Sequence, residues 1–274
     1  MTLTLPEMLR AAVTRLAPIS DTPRLDAELL LAHALGIERE RLILVDRNTR
    51  IPAAFETLLA RREKGEPIAY ITGRRGFWTI ELEVGPGALI PRPDSETLIE
   101  AAVDHFGEKG PSTILDLGTG PGTLLLAALD QWPDARGIGV DASEAALVYA
   151  RRNAERLGLS ARAELRLGDW SDGIDARFDL ILCNPPYVEL GAELGPGVRE
   201  WEPHAALFAG ADGLDDYRRL APVIARLAAP GGIACVEIGA GQADAVTAIF
   251  EAEGLSASRR RDLAGRDRCV TLSA

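Results

Sequence analysis

Apolar positions recur at helical spacing through the first 65 residues. Leu9, Val13 and Leu16 fall on one side of a helix that Pro6 can start. Leu25, Leu29 and Ala32 are spaced as the buried face of a second helix, capped by Asp21 or Thr22 and stopped at Leu35-Gly36. Shorter helices are predicted from Arg39 to Val45 and from Pro52 to Lys64. The period then changes. Thr79, Glu81 and Glu83 alternate with Ile80, Leu82 and Val84, as in a strand buried on one face. With Ala69 to Thr72 as its partner and Gly73-Arg74-Arg75-Gly76 as the turn, this stretch predicts a β-hairpin. Beyond it, apolar runs of strand length alternate with helical segments, which implies a parallel sheet with helices on both faces. Ala257-Ser258-Arg259 and Arg268 to Leu272 predict a terminal hairpin. The expected architecture is α/β: a small N-terminal helical bundle (residues 1–65), a β-hairpin linker (66–90) and a sheet domain (91–274).

The strongest chemical signal follows the apolar run Phe178 to Cys183. Asn184-Pro185-Pro186-Tyr187 places two prolines directly after a strand, where neither can donate to ladder or helix. Such a segment is either an ordinary Pro-Pro loop or a slot for a planar NH2 group. In the second case the Asn184 side-chain oxygen and the Pro185 carbonyl each accept one N–H, and the Tyr187 ring packs on the amide plane. Methylation of an amide or exocyclic amine needs such a slot. The lone pair of that nitrogen is delocalised, and fixed acceptors on its two protons can turn it toward an incoming methyl group.

Upstream, Thr113 to Leu117 predicts a strand, Thr123 to Leu129 a helix, and Gly118, Gly120 and Gly122 the turn between them. The spacing is G-x-G-x-G rather than G-x-G-x-x-G, with Asp116 two residues before the first glycine. It suits S-adenosyl-L-methionine, which has no pyrophosphate to seat on a helix N-terminus; a tight turn that binds nothing has the same sequence. Asp141 ends the next predicted strand, where an acid can accept from two ribose hydroxyls or cap the helix beginning near Ser143. Asp169 and Trp170 follow the third strand. There Asp169 can meet an adenine amino group, and Trp170 can cover the base or simply pack in the core. The C-terminal strand ends of an open α/β sheet share one crevice, so the ordered set says more than any member.

With these motifs the chain resembles the protein-glutamine N5-methyltransferases that modify peptide chain release factors. The resemblance spans nearly the whole length. It includes Arg24 to His33, Gly65 to Gly73, Phe77-Trp78, Leu89 to Glu96 with its Pro91-Arg92-Pro93 core, Glu202 to Leu207, Asp212 to Arg218 and Asp262 to Arg268. It implies a Rossmann-like class I methyltransferase sheet and S-adenosyl-L-methionine as methyl donor. It implies cofactor contacts at Asp116, Leu117, Gly118, Thr119, Gly120, Asp141, Asp169, Trp170 and Asn184. Asn184, Pro185, Pro186 and Tyr187 would form the glutamine clamp, with Arg92 bordering the cleft or locking the domains together. The implied substrate is the glutamine of the Gly-Gly-Gln loop of class I release factors, with the helical domain as docking element. The chain departs from the family pattern at Ser95, where Thr is common, at Gly76, and at Pro121 and Thr123 beside the last glycine.

Composition narrows the alternatives. A net charge of −11 argues against broad nucleic-acid binding, which depends on neutralising phosphates, and suits a basic protein partner. The three cysteines and three histidines show no metal or disulfide spacing, so no metal is expected and the cysteines are expected to be buried. Neither a leader pattern nor a spanning apolar run is visible, which places the expected protein in the cytoplasm and away from membranes. Two rivals remain at this level: a nucleic-acid amino-methyltransferase of the adenine N6 type, and a non-catalytic S-adenosylmethionine-binding module.

Overall fold

The computed structural model describes residues 4–195 and 197–273. The chain divides into two compact units, one of Met1–Arg74 with Leu194–Glu202, the other of Arg75–Glu193 with Pro203–Ala274.

The first unit is helical. Helices α1 (Leu5–Leu16), α2 (Pro23–Leu35) and α3 (Ala54–Glu63) pack around Leu16, Leu30, Leu31, Phe55 and Leu59, all buried. Helix α2 ends as expected, with Gly36 in the left-handed region at φ 67°. Of the expected face Leu25, Leu29 and Ala32, only Ala32 is fully buried. Asp26, Ala27, Leu30, Leu31 and Ala32 point inward, while Leu25 is 39% exposed. The run Leu29-Leu30-Leu31 is apolar on several sides, so spacing alone does not fix the rotation. The neighbours do, through a buried ion pair of Asp26 Oδ2 with Arg62 Nε on α3 at 2.8 Å.

The predicted strand Ala69 to Thr72 is instead a short helix, α4 (Ile68–Thr72), bounded by Pro67 and by Gly73 at φ 74°. Its β-branched and aromatic residues favour a strand, but Ala69, Tyr70 and Ile71 gain more by burial on one helical turn. The hairpin exists one element later, as β1 (Arg74–Phe77) and β2 (Ile80–Glu83). Its turn lies at Trp78-Thr79 and not at Gly73–Gly76. Trp78 is held at φ 53°, a costly conformation for a bulky residue, with its N–H donating to Glu96 at 2.9 Å and its indole N–H to Gln131 at 3.0 Å.

The second unit contains helix α5 (Glu96–Phe106) and then the alternation read from sequence. The elements are β3 (Thr113–Leu117), α6 (Thr123–Gln131), β4 (Arg136–Asp141), α7 (Glu144–Arg156), β5 (Ala163–Leu167) and β6 (Phe178–Cys183). After α8 (Val198–Trp201), which belongs to the first unit, come α9 (Asp215–Leu227), β7 (Ala228–Glu237), α10 (Ala243–Glu251), β8 (Ser256–Arg261) and β9 (Asp267–Ser273). The sheet order is β5-β4-β3-β6-β7-β9-β8. Strands β3 to β7 run parallel, and β8 and β9 form the antiparallel pair at one edge. This is the Rossmann-like arrangement of class I methyltransferases. Strands β3, β6 and β7 are buried almost throughout, as expected of strands covered on both faces. The strand order reverses between β3 and β6, so a crevice opens beyond their C-terminal ends.

Candidate active site

The loop after β3 lines that crevice. Gly118, Gly120 and Gly122 sit at φ 75°, 57° and 88°, conformations open to glycine and strained for other residues. The loop is held by two acids. Asp116 Oδ2 accepts from the Thr119 hydroxyl at 2.6 Å and from Leu125 N–H at 3.1 Å. Asp141, at the end of β4, accepts from Gly120 N–H at 2.7 Å and from Ser143 N–H at 2.8 Å. The cap of α7 is Ser143, whose hydroxyl accepts from Ala146 N–H at 3.2 Å. Asp141 thus braces the glycine loop across the strand gap, and its remaining lone pairs are available to a ligand.

Around this loop lies a cavity of about 350 Å³. Its wall includes Asp116, Gly118, Thr119, Gly120, Asp141, Asp169, Trp170, Asn184, Pro186 and Arg92. Those ten predicted residues are therefore brought together. Leu117, Pro185 and Tyr187 are not in the wall. The Leu117 side chain is fully buried in the sheet, which leaves only its main chain to offer. Tyr187 packs against the core of the second unit, with its hydroxyl 3.3 Å from Glu237 Oε1. Trp170 combines both of its sequence readings: it packs on the core, lines the cavity and stands 3.2 Å from where a Cβ on Gly118 would be. Asp169 is engaged by Arg219 Nη2 at 2.6 Å.

The electrostatics suit a cationic, hydroxyl-bearing ligand. Burial pushes the Asp116 carboxyl up to about 7, against the pull of the Thr119 and Leu125 donors. Its Oδ1 is buried with no partner among the described residues, which is costly unless a donor arrives. Burial also raises Asp141, opposed by the N–H groups of Ser143 and Gly120. A Cβ on Gly120 would meet nothing within 4 Å, so the space beside its backbone is open. An unpaired buried acceptor, a second acid on the next strand and an aromatic wall fit the ammonium, ribose and adenine of S-adenosylmethionine.

The Asn-Pro-Pro-Tyr segment follows β6, the strand paired with β3 in register Leu117↔Cys183. Its backbone is fixed from both sides. Tyr187 and Val188 N–H donate to Leu207 C=O at 3.2 and 2.8 Å, and Gln242 Nε2 donates to Tyr187 C=O at 3.1 Å. Asn184 Nδ2 donates to Ser95 Oγ at 3.2 Å, leaving Oδ1 as its acceptor for the cavity. Sequence reasoning assigned no role to Ser95, Glu237 or Gln242. A carboxylate ending the otherwise apolar run Ile233 to Val236 was the available signal for Glu237.

Comparison with known proteins agrees along the whole chain. The PrmC N-terminal domain profile matches residues 7–73, and a Methyltransferase domain profile matches residues 108–238. A protein of Caulobacter vibrioides named release factor glutamine methyltransferase is 44% identical, over 98% of this chain and 96% of its own. One of the same name from Cereibacter sphaeroides is 46% identical, over 97% and 96%. A methyltransferase crystal structure from Pyrococcus furiosus superposes with a TM-score of 0.55 at 18% identity, covering 79% of this chain and 98% of that one, which supports the fold.

Proposed function

Because the chain belongs to the release factor glutamine methyltransferase family, we propose that its cavity transfers a methyl group from S-adenosylmethionine to the side-chain amide nitrogen of a release-factor glutamine. The substrate is taken to be the glutamine of the Gly-Gly-Gln loop of class I release factors, met in the cytoplasm, with residues 1–65 serving as the docking domain and no nucleic acid required. One observation carries this reading. The strand bearing the glycine loop pairs directly with the strand bearing Asn184, so the glycine loop and two residues of the clamp segment, Asn184 and Pro186, line one cavity.

The residues divide the work. Asp116, Asp141 and Trp170 would hold the cofactor, which would supply a methyl group on a positively charged sulfur. Asn184 Oδ1 accepts one amide N–H of the glutamine, and the Pro185 carbonyl accepts the other. This turns the nitrogen lone pair toward the methyl group. Alignment of this kind is worth roughly 7–11 kcal/mol of barrier. The apolar wall of Leu89, Ile90, Pro91 and Pro186 excludes water and disfavours the charged ground state relative to the charge-dispersed transition state. The amide proton becomes acidic only as the new bond forms, so no strong base is needed and a water can carry it away.

Incubation of the protein with labelled S-adenosylmethionine and a class I release factor, followed by peptide mass mapping, tests the reading. One added methyl on the Gly-Gly-Gln glutamine is expected. Transfer to DNA or RNA offered in parallel, with none to the release factor, would establish the adenine-type alternative. Cofactor binding without transfer to either would leave only a binding module.

A further inference from the structure

The clamp segment offers little to hold it by. Pro185 and Pro186 have no N–H, so the first main-chain donor after Asn184 belongs to Tyr187. Upstream, the segment is anchored by Cys183, the last residue of β6, which pairs with Leu117 on β3 and Val236 on β7. Downstream, the anchor is the main chain of Tyr187. Its N–H donates to Leu207 C=O at 3.2 Å, and its C=O accepts from Gln242 Nε2 at 3.1 Å. Gln242 stands just before α10, with its own main chain fixed on both sides. Its N–H donates to Gly239 C=O at 3.1 Å, and its C=O accepts from Val246 N–H at 2.9 Å. The side-chain amide has two further contacts: Nε2 donates to Gly213 C=O at 3.3 Å, and Oε1 accepts from Gly239 N–H at 2.9 Å.

One amide thus joins three segments: the tail of the clamp, the loop before α9 and the turn after β7. Its orientation is determined, because two carbonyls require the NH2 group and one N–H requires the oxygen. The junction is also tight. A Cβ on Gly213, which sits at φ 70°, would collide with the Tyr187 carbonyl oxygen. A Cβ on Gly239 would stand 2.7 Å from Gln242 Oε1 and 3.1 Å from the Tyr187 ring. Two buried glycines therefore let the backbone close around Tyr187. Gln242 itself does not line the cavity. Between the two anchors, the proline rings fix φ at two of the three residues, so a held Tyr187 leaves the bend little freedom. We propose that Gln242 is a positioning residue: by holding the Tyr187 carbonyl it fixes the Asn184–Pro186 bend against the cavity and sets where the acceptors of the clamp stand. Gln242 touches neither substrate nor cofactor in this role. Without its grip the bend can rotate about Asn184, and the acceptors no longer face the amide nitrogen.

This inference rests on the proposed amide methylation, and kinetics on full-length variants separate the two. Gln242→Met keeps the length and removes every hydrogen bond of the amide. Gln242→Glu keeps an acceptor for Gly239 but sets a carboxylate against two carbonyl oxygens. Turnover on release factor at saturating cofactor is expected to fall about 10–100-fold in both, the scale of a misplaced reacting group. Calorimetry is expected to find wild-type cofactor stoichiometry and an affinity changed far less than turnover, because Asp116 and Asp141 lie on other strands. In the Asn184→Ala background, where one of the positioned acceptors is already gone, Gln242→Met is expected to cost much less than it does alone. Full turnover in either single variant would overturn the inference. So would losses that simply multiply in the double variant, a loss of cofactor affinity as large as the loss of turnover, or a lost stoichiometry, which would make Gln242 a folding element only. A wild-type protein that transfers no methyl to the loop glutamine would overturn the function together with the inference. A competent wild type beside an unimpaired Gln242→Met variant overturns only the positioning role.

Discussion

Asn184 has two ends, and the structure gives them different tasks. Its nitrogen is tied to Ser95 inside the protein, and its oxygen is left for the cavity. Removing the side chain deletes the acceptor that orients the substrate while leaving Asp116, Asp141 and Trp170 in place. Asn184→Ala is therefore expected to lower turnover at saturating cofactor at least about a hundredfold, or ~2.7 kcal/mol. Near-normal turnover in steady-state assays would reject the clamp. Residue identity announced Asn184, Asp141 and the glycines, because their chemistry is local to a strand end. Tyr187 has a second set of contacts that the motif did not announce. The ring packs toward the core, and its hydroxyl reaches Glu237. Ser95, inside the family-like stretch Leu89 to Glu96, and Glu237 matter through what they touch: the first receives the Asn184 amide, the second the Tyr187 hydroxyl.

At the scale of elements, the glycine loop is a strand-to-helix turn in which three left-handed residues allow two acids to reach backbone N–H groups. Gly118 is the one of them whose Cβ would meet the aromatic wall of the cavity. A Cβ there would be strained at φ 75° and would press on Trp170 at 3.2 Å. Gly118→Ala is expected to cost about 1–3 kcal/mol of stability and to weaken cofactor binding, since the same methyl intrudes on the cavity wall. Urea unfolding and calorimetric titration check the two effects, and unchanged values in both would show that the loop tolerates a side chain. Strand and helix positions in the sheet domain were legible because buried parallel strands are continuous apolar runs. The segment Ile68–Thr72 was not, because five residues fit either period and only the packing of Ala69, Tyr70 and Ile71 decides for a helix. Helix α2 was placed correctly but rotated, because its leucines crowd several faces and the Asp26–Arg62 pair selects one.

For the whole molecule, two buried carboxyls link folding to pH. Burial raises Asp116 from 3.8 to about 7 and Glu237 from 4.5 to about 7. In that window the native state holds protons that the unfolded chain has already lost, so stability falls as pH rises from about 4 to about 7 and then levels off. The cofactor-free protein is expected to have a higher urea midpoint near about pH 5 than near about pH 8. Asp116→Asn, which cannot ionise, is expected to shrink that difference, and an equal difference in the variant would show that Asp116 is ionised throughout. Among the described residues no helix is long and apolar enough to cross a membrane. Sequence alone determined the order of the candidate segments: glycine loop, strand-end acid, Asp-Trp, then Asn-Pro-Pro-Tyr. That order is encoded by local grammar, namely strand-length apolar runs, glycine where φ is positive and proline where pairing must stop. Tertiary structure alone decided that the first and last of these segments are neighbours. The chain leaves β3 to build β4 and β5 on one side, then returns to lay β6 on the other, and hydrogen-bond pairing across that reversal closes the cavity. Only there does Ser95, 89 positions away by number, meet Asn184, because side-chain contacts follow from strand order and register and are not written in any single segment.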